Sequence, residues 1–344
     1  MIAPPPRIGV LSFAHYHANF WSEVFAARGV LAGIWDKDIA RGRDAAARFE
    51  VDFDASLDAL LGRCTAVAIC SETASHADLV EAAAERRLAV LCEKPLAGTL
   101  DDCERIVRIV TDSNLFFMQS FPKRFDPVTH RVRALVERGE LGDITLARVR
   151  HGHFYGLQPD FRERWYVQRT LSGGGALLDE GVHAADFLAL LFGMPQDVVA
   201  QVSDRALGLE VEDLGIAVFR WASGLVGEIV SSFTYAAADA SIEIYGTRGT
   251  LIVSGVDLAS RDITERDFVR VYRSESAERR WETLDVVPRF KQGHFHQQNA
   301  IAFVDALEQG TPPPITVAEG YNAFRMIDAA YRAARSGTRQ QVEP

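Results

Sequence analysis

The sequence predicts an α/β protein in two parts: an N-terminal domain built on a parallel sheet, and a C-terminal α+β domain with a large, mostly antiparallel open sheet. Three features predict this. Short apolar runs alternate with helical stretches through the first third, strand-length runs joined by tight turns fill much of the second half, and a Pro122 to Pro127 segment marks the change between them. With 344 residues and 48% apolar content there is chain for about two cores, divided here as residues 1–123 and 124–344, with the last helices free to return to the first domain.

Bulk properties argue against several functions. A net charge of -10 without a basic stripe opposes nucleic-acid binding. Met1 to Arg7 has prolines and one arginine but no long apolar region, and apolar runs elsewhere are short, so no signal peptide and no membrane span are expected and the expected location is cytoplasmic. Cys64, Cys70, Cys92 and Cys103 show no C-x-x-C spacing, which predicts buried free thiols rather than disulfides or a zinc site.

Arg7 to Leu11 is an apolar run ending at Ser12, after which Phe20, Trp21, Val24 and Phe25 recur at helical spacing up to Gly29. Val30 to Trp35, Ala66 to Cys70 and Ala89 to Cys92 are further strands, separated by helices such as Ala77 to Arg87. Thr99-x-x-Asp102 reads as a capping box for a helix with Leu100, Cys103, Ile106, Val107 and Val110 on one face, and Phe116 to Phe121 is the last strand of the domain. A strand-helix-strand unit opening at residue 7 is the frame of a Rossmann dinucleotide site, with the pyrophosphate at the N-terminus of the first helix. The G-x-G-x-x-G fingerprint is missing. In its place stands Ser12-Phe13-Ala14-His15-Tyr16-His17, where small Ser12 and Ala14 let the backbone approach a phosphate and Ser12 or His17 can donate to it. Asp36, about twenty residues on, is placed to accept from the ribose hydroxyls and favours NAD over NADP, a preference that Lys37 and Arg41 soften.

Glu93-Lys94-Pro95 puts one lysine where a buried strand ends. Ligands of open α/β sheets bind beyond the carboxyl ends of the strands, so this cation is aimed at a substrate. In the second domain, Ile144 to Tyr155 reads as a long strand, and Val198 to Ser203, Gly215 to Trp221, Leu225 to Thr234, Ala240 to Tyr245 and Thr250 to Val253 as hairpin-joined strands. Between them Gly173-Gly174-Gly175 precedes Asp179, His183 and Asp186, whose i, i+4, i+7 spacing puts two carboxylates beside an imidazole on one helix face. Hydride transfer between a nicotinamide and a secondary alcohol or ketone needs a base for the hydroxyl proton and a cation for the alkoxide. His183 and Lys94 can supply them.

Leu91 to Leu96, Gly174 to His183, Ile244 to Thr250 and the closing helical region from Ala300 to Arg335 together resemble the Gfo/Idh/MocA family of NAD(P)-dependent oxidoreductases, which includes sugar and inositol dehydrogenases. The likeness spans nearly the whole chain. It implies catalytic roles for Lys94, Asp179 and His183, a cis bond before Pro95, NAD as cofactor with NADP as the alternative, a sugar or polyol substrate, and a homodimer or homotetramer formed through the open face of the second sheet. Beside Ser12, Phe13, Ala14, His17, Asp36 and Lys37, the expected cofactor contacts are Glu93, Pro95 and the segment Ser71-Glu72-Thr73-Ala74-Ser75-His76, which departs from the family pattern and offers Ser71, Glu72 and His76. Arg124, Tyr155, Arg164 and Trp165 supply donors and flat rings for a sugar.

Two other readings compete. Six of the nine histidines fall in His-x-His pairs, His15/His17, His151/His153 and His294/His296, a pattern open to a metal-dependent hydrolase or isomerase. No cysteine or carboxylate completes a ligand set at useful spacing, so no metal is expected. The eroded fingerprint also fits a sensor that binds a dinucleotide or sugar without turnover. Retention of Lys94, Asp179 and His183 together favours the enzyme.

Overall fold

The computed structural model describes residues 5–237, 240–256, 268–276, 280–287 and 293–343. It divides into two compact units, Met1–Pro122 with Gly293–Tyr321 and Lys123–Gln292 with Asn322–Pro344.

In the first unit β1 (Ile8–Leu11), α1 (His17–Ala27), β2 (Leu31–Trp35), α2 (Ile39–Phe49), α3 (Leu57–Leu61), β3 (Ala66–Ile69), α4 (His76–Glu85), β4 (Ala89–Cys92), α5 (Leu100–Asp112) and β5 (Phe117–Gln119) follow one another along the chain. The five strands pair in parallel in the order β2-β1-β3-β4-β5. Such strands are covered on both faces and therefore read as unbroken apolar runs: Val10, Leu11, Val67, Ala68, Ile69, Val90 and Leu91 are 0% exposed. Each buried Val, Leu or Ile contributes about 1.5–3 kcal/mol. Thr99 caps α5 as its spacing predicts, accepting from the Asp102 N–H at 3.2 Å, and Cys103, Ile106 and Val110 form the buried stripe. The helix His294–Gln309 packs on α1, and the Gln119 N–H donates to Ile315 O at 3.0 Å.

The second unit holds α6 (Pro127–Glu137), β6 (Ile144–His151), α7 (Arg169–Ser172), α8 (Ala176–Asp179), α9 (Gly181–Phe192), and strands β7 (Asp197–Ser203), β8 (Leu214–Arg220), β9 (Val226–Ser232), β10 (Ala240–Gly246), β11 (Gly249–Val256), β12 (Val269–Arg273), β13 (Trp281–Leu284) and β14 (Gln340–Gln341). They form one nine-stranded sheet, β13-β12-β11-β10-β6-β9-β8-β7-β14, antiparallel throughout except where β6 meets β9 in parallel. The expected long strand from Ile144 stops at His151, and three-residue and five-residue 3₁₀ turns follow. One sheet face, with Ala147, Val149, Ala217, Phe219, Ile229 and Ile244, is buried, and α8 and α9 pack on this sheet. The other face carries exposed Val199, Ile216 and Val226, and on it Arg148 bridges Glu228 at 3.0 Å and Glu243 at 3.4 Å across three strands. All four cysteines are free and buried. Among the described residues no helix is long and apolar enough to cross a membrane.

Asp126 opens α6, accepting from the Val128 N–H at 2.9 Å. Burial pushes its carboxyl up to about 6 from an ordinary 3.8. The raised folded value means that stability is fullest below the unfolded pKa and is lost as pH rises through the window from about 4 to 6, by roughly 2 to 3 kcal/mol. Asp126→Asn keeps a capping oxygen and removes the ionisation, so its melting temperature relative to the native chain should rise between pH 4 and pH 7; a constant difference across that range contradicts the burial argument.

Candidate active site

The first unit supplies two elements. Ser12, directly after β1, has φ 75, the left-handed backbone that a glycine normally takes, and three interactions hold it there. Its hydroxyl donates to Asp36 Oδ2 at 3.2 Å and accepts from the Ala14 N–H at 3.1 Å and Arg41 Nη2 at 3.2 Å. Left-handed backbone costs a non-glycine residue about 1–2 kcal/mol, which bonds of this kind offset. The loop thus keeps the fingerprint's shape without its glycines. Asp36 is correspondingly committed: it also accepts from the Phe13 N–H at 2.8 Å, the Asp38 N–H at 2.9 Å, and Arg41 Nε at 2.8 Å and Nη2 at 2.7 Å, and is 2% exposed. A carboxylate has about four acceptor positions. The acceptor positions of Asp36 are taken by the loop and by Arg41, which is partly exposed and also pairs with Glu72 at 3.2 Å. Lys37 is exposed, and Ser71 is buried with its hydroxyl on Glu72 O.

His15 and His17 are buried with ring centroids 4.0 Å apart, and the His17 ring lies 3.6 Å from that of His296, tilted by 32°. His17 Nδ1 lies 3.2 Å from Glu93 Oε1, whose other oxygen accepts from Ser120 Oγ at 3.2 Å. Burial first, then His17, holds the His15 imidazole well below its usual range, so the ring is neutral. His15 and His17 span a turn into α1, and His294 and His296 start a helix.

The lysine turn follows β4. Lys94 is 3% exposed, and the Lys94–Pro95 peptide is cis, as the resemblance implies. Gln119 Nε2 donates to Cys92 O and Glu93 O, both at 3.1 Å, from one side. From another, the fully buried His76 puts Nδ1 3.1 Å from Pro95 O and 3.3 Å from Leu96 O. Glu93 and His76 are fully buried beside the lysine turn, and Pro95 is buried.

In the second unit the helix expected through Asp179, His183 and Asp186 is broken at Glu180 into α8 and α9. His183 and Asp186 stay three residues apart on α9. The Asp186 carboxylate takes the fork of Arg124, with Nε at 2.9 Å and Nη2 at 2.5 Å. His183 is 7% exposed and its ring lies 4.9 Å from that of His151. Tyr155 packs on the cluster of Phe161, Val167, Ala176, Val211 and Phe233, with Arg164 5.9 Å over its ring, while Trp165 stacks on Tyr166 at 4.1 Å.

Sequence reasoning missed Glu212. Its buried carboxylate accepts from the Gly175 N–H at 3.0 Å, the Leu177 N–H at 3.0 Å and the Tyr331 hydroxyl at 2.6 Å, pinning the glycine turn that leads into Asp179. A side chain at Gly175 would meet Glu212 O at 2.1 Å, which is why glycine stands there. The contact joins residues 37 apart, beyond any local pattern.

A family model described as an oxidoreductase family with an NAD-binding Rossmann fold matches residues 8–121, and the GFO/IDH/MocA C-terminal domain matches residues 129–252. The chain belongs to the Gfo/Idh/MocA family. Relatives include the D-xylose 1-dehydrogenase (NADP(+)) 2 of Haloferax volcanii, 29% identical over 78% of this chain and 77% of that protein, and the 1,5-anhydro-D-fructose reductase of Ensifer adhaerens, 27% identical over 81% and 80%. A levoglucosan dehydrogenase solved in complex with NADH shares the fold at TM-score 0.84 and 23% identity, covering 99% of this chain and 100% of that one. The loop of this Gfo/Idh/MocA member fits a dinucleotide, since Ser12 takes the backbone conformation of the absent glycine and α1 starts directly behind it.

Glu212→Gln replaces one of two accepting oxygens with a donor aimed at backbone N–H groups. It should lower the melting temperature and cost about 1–3 kcal/mol in denaturant unfolding. An unchanged midpoint would remove Glu212 as the support of the glycine turn.

Proposed function

We propose that the protein is an NAD(P)-dependent oxidoreductase acting on a secondary alcohol or ketone of a sugar, polyol or inositol-like substrate. The observation that carries the reading is Lys94: a lysine kept 3% exposed, on a turn held by Gln119, His76 and Glu93. Ammonium groups are seldom removed from water without a charge to meet, and supports of this kind fix a group whose position matters. Membership of a family with sugar-active relatives supports the substrate class.

A bound nicotinamide supplies the hydride acceptor or donor. The chain supplies the rest. In the oxidative direction His183 takes the hydroxyl proton at a ring nitrogen and Lys94 steadies the negative charge that develops on oxygen, with Asp179 the third residue that the motifs supply. In the reductive direction the same proton returns. Ser12 and Ala14 form the loop under the pyrophosphate, and His17 lines the start of α1. Arg41, bridging Asp36 and Glu72, offers a guanidinium to a 2′-phosphate, so NADP is accepted beside NAD.

With reduced-nicotinamide absorbance as the readout over a panel of sugars and polyols, Lys94→Ala and His183→Ala should each lower kcat by about 10²–10⁴ with dinucleotide affinity nearly intact. Native turnover in His183→Ala removes the assignment. Arg41→Ala should weaken NADP about tenfold while releasing Asp36 for a ribose, so the NAD to NADP preference rises. Asp36→Ala should loosen the Ser12 loop and weaken both cofactors together; selective improvement with NADP would show instead that Asp36 acts as a specificity carboxylate.

A further inference from the structure

Two histidines outside the Lys94, Asp179 and His183 set converge on one carboxylate in the second unit. His151 ends β6, His153 follows two residues later, and Glu180 separates α8 from α9. His151 Nδ1 lies 2.8 Å from Glu180 Oε2, and His153 Nε2 lies 3.9 Å from Oε1. None of the three is more than 9% exposed. His153 Nδ1 accepts from the Tyr155 N–H at 3.2 Å, so the neutral ring carries its proton on Nε2, the nitrogen on the Glu180 side. His151 Nδ1 faces the Glu180 carboxylate at ion-pair distance without an aligned hydrogen bond. The His151 and His183 ring centroids are 4.9 Å apart and the rings tilted by 37°, neighbours between which one bridging water can pass a proton.

We propose that Glu180 and His151 form the route by which His183 exchanges its proton with solvent, with Glu180 as the positioning residue. This rests on the reading of His183 as the base. A buried imidazole that takes a proton in each oxidative turnover must lose it before the next. The N–H bond formed on His183 breaks as an N–H bond forms on the ring of His151; the resulting imidazolium is stabilised by the Glu180 carboxylate 2.8 Å away and releases one proton to water. No electrons move in this step. His153 Nε2 faces the other carboxylate oxygen of Glu180 at 3.9 Å.

The same atoms invite a different assignment, because ligand atoms of His153, Asp179 and Glu180 lie within 4.8 Å of one another, a spacing a divalent cation can use. The Tyr155 N–H argues against it. An imidazole ligating through Nε2 needs a lone pair there, and accepting at Nδ1 leaves a proton on it instead.

The test is steady-state oxidation by Glu180→Gln, Glu180→Asp, His151→Gln and His151→Gly enzymes in H2O and D2O. Glu180→Gln and His151→Gln should lower kcat about tenfold or more and enlarge the solvent isotope effect, with KM within about twofold of native. Glu180→Asp should recover part of the rate, and free imidazole should rescue His151→Gly, which a purely structural role would not allow. If His151→Gly fails to fold, the nearly isosteric Glu180→Gln still decides. Native kcat in Glu180→Gln and His151→Gln beside an inactive His183→Ala overturns the proton route and leaves the proposed function standing. An active His183→Ala overturns that function itself. One equivalent of zinc retained through dialysis by tag-free protein, and lost in Glu180→Gln, replaces the route with a metal site.

Discussion

A carboxylate taken out of water must receive from the protein the donors that water gave it, and this requirement organises both units of the chain. Asp36 receives the loop after β1, Glu93 receives Ser120 and faces His17, Glu180 faces two imidazoles, Asp186 receives the Arg124 fork, and Glu212 receives the glycine turn. Each fixes a segment that hydrophobic burial would leave loose. Removing one partner from such an arrangement leaves a buried charge uncompensated, at a cost above the worth of the bond itself.

The two units use the device differently. In the first, Glu93 and His76 are 0% exposed, and Lys94 is buried on a turn whose Cys92, Glu93, Pro95 and Leu96 carbonyls meet Gln119 and His76. In the second, the break at Glu180 gives up one helical turn's continuity and brings a carboxylate to His151 and His153 that an unbroken helix would carry elsewhere. Helix interruption is what separates Asp179 from His183 into two elements.

The alternation of strand and helix, the capped α5, the free thiols and the lysine turn were legible because each depends on neighbours within a few residues. The strands β12 and β13 and the parallel meeting of β6 with β9 were not, since pairing between distant segments leaves no local period. The same limit applies to the site. Lys94, Asp179 and His183 stand out by motif, whereas the ion pairs of Asp36 with Arg41 and of Arg124 with Asp186, five and sixty-two residues apart, are set by tertiary packing. His76 was placed near the cofactor by its position after β3, and its tie to Pro95 O, nineteen residues on, could not be read locally.

Ser12 makes the loop an interlocked one. Its hydroxyl is shared by Asp36, Ala14 and Arg41, so the residue is at once the strained point of the backbone and the hub of the bonds that hold it. A glycine there would relax the torsion yet delete the hub, and Asp36 and Arg41 would be left to find new geometry. No single change at this position trades one way of holding the turn for the other without loss.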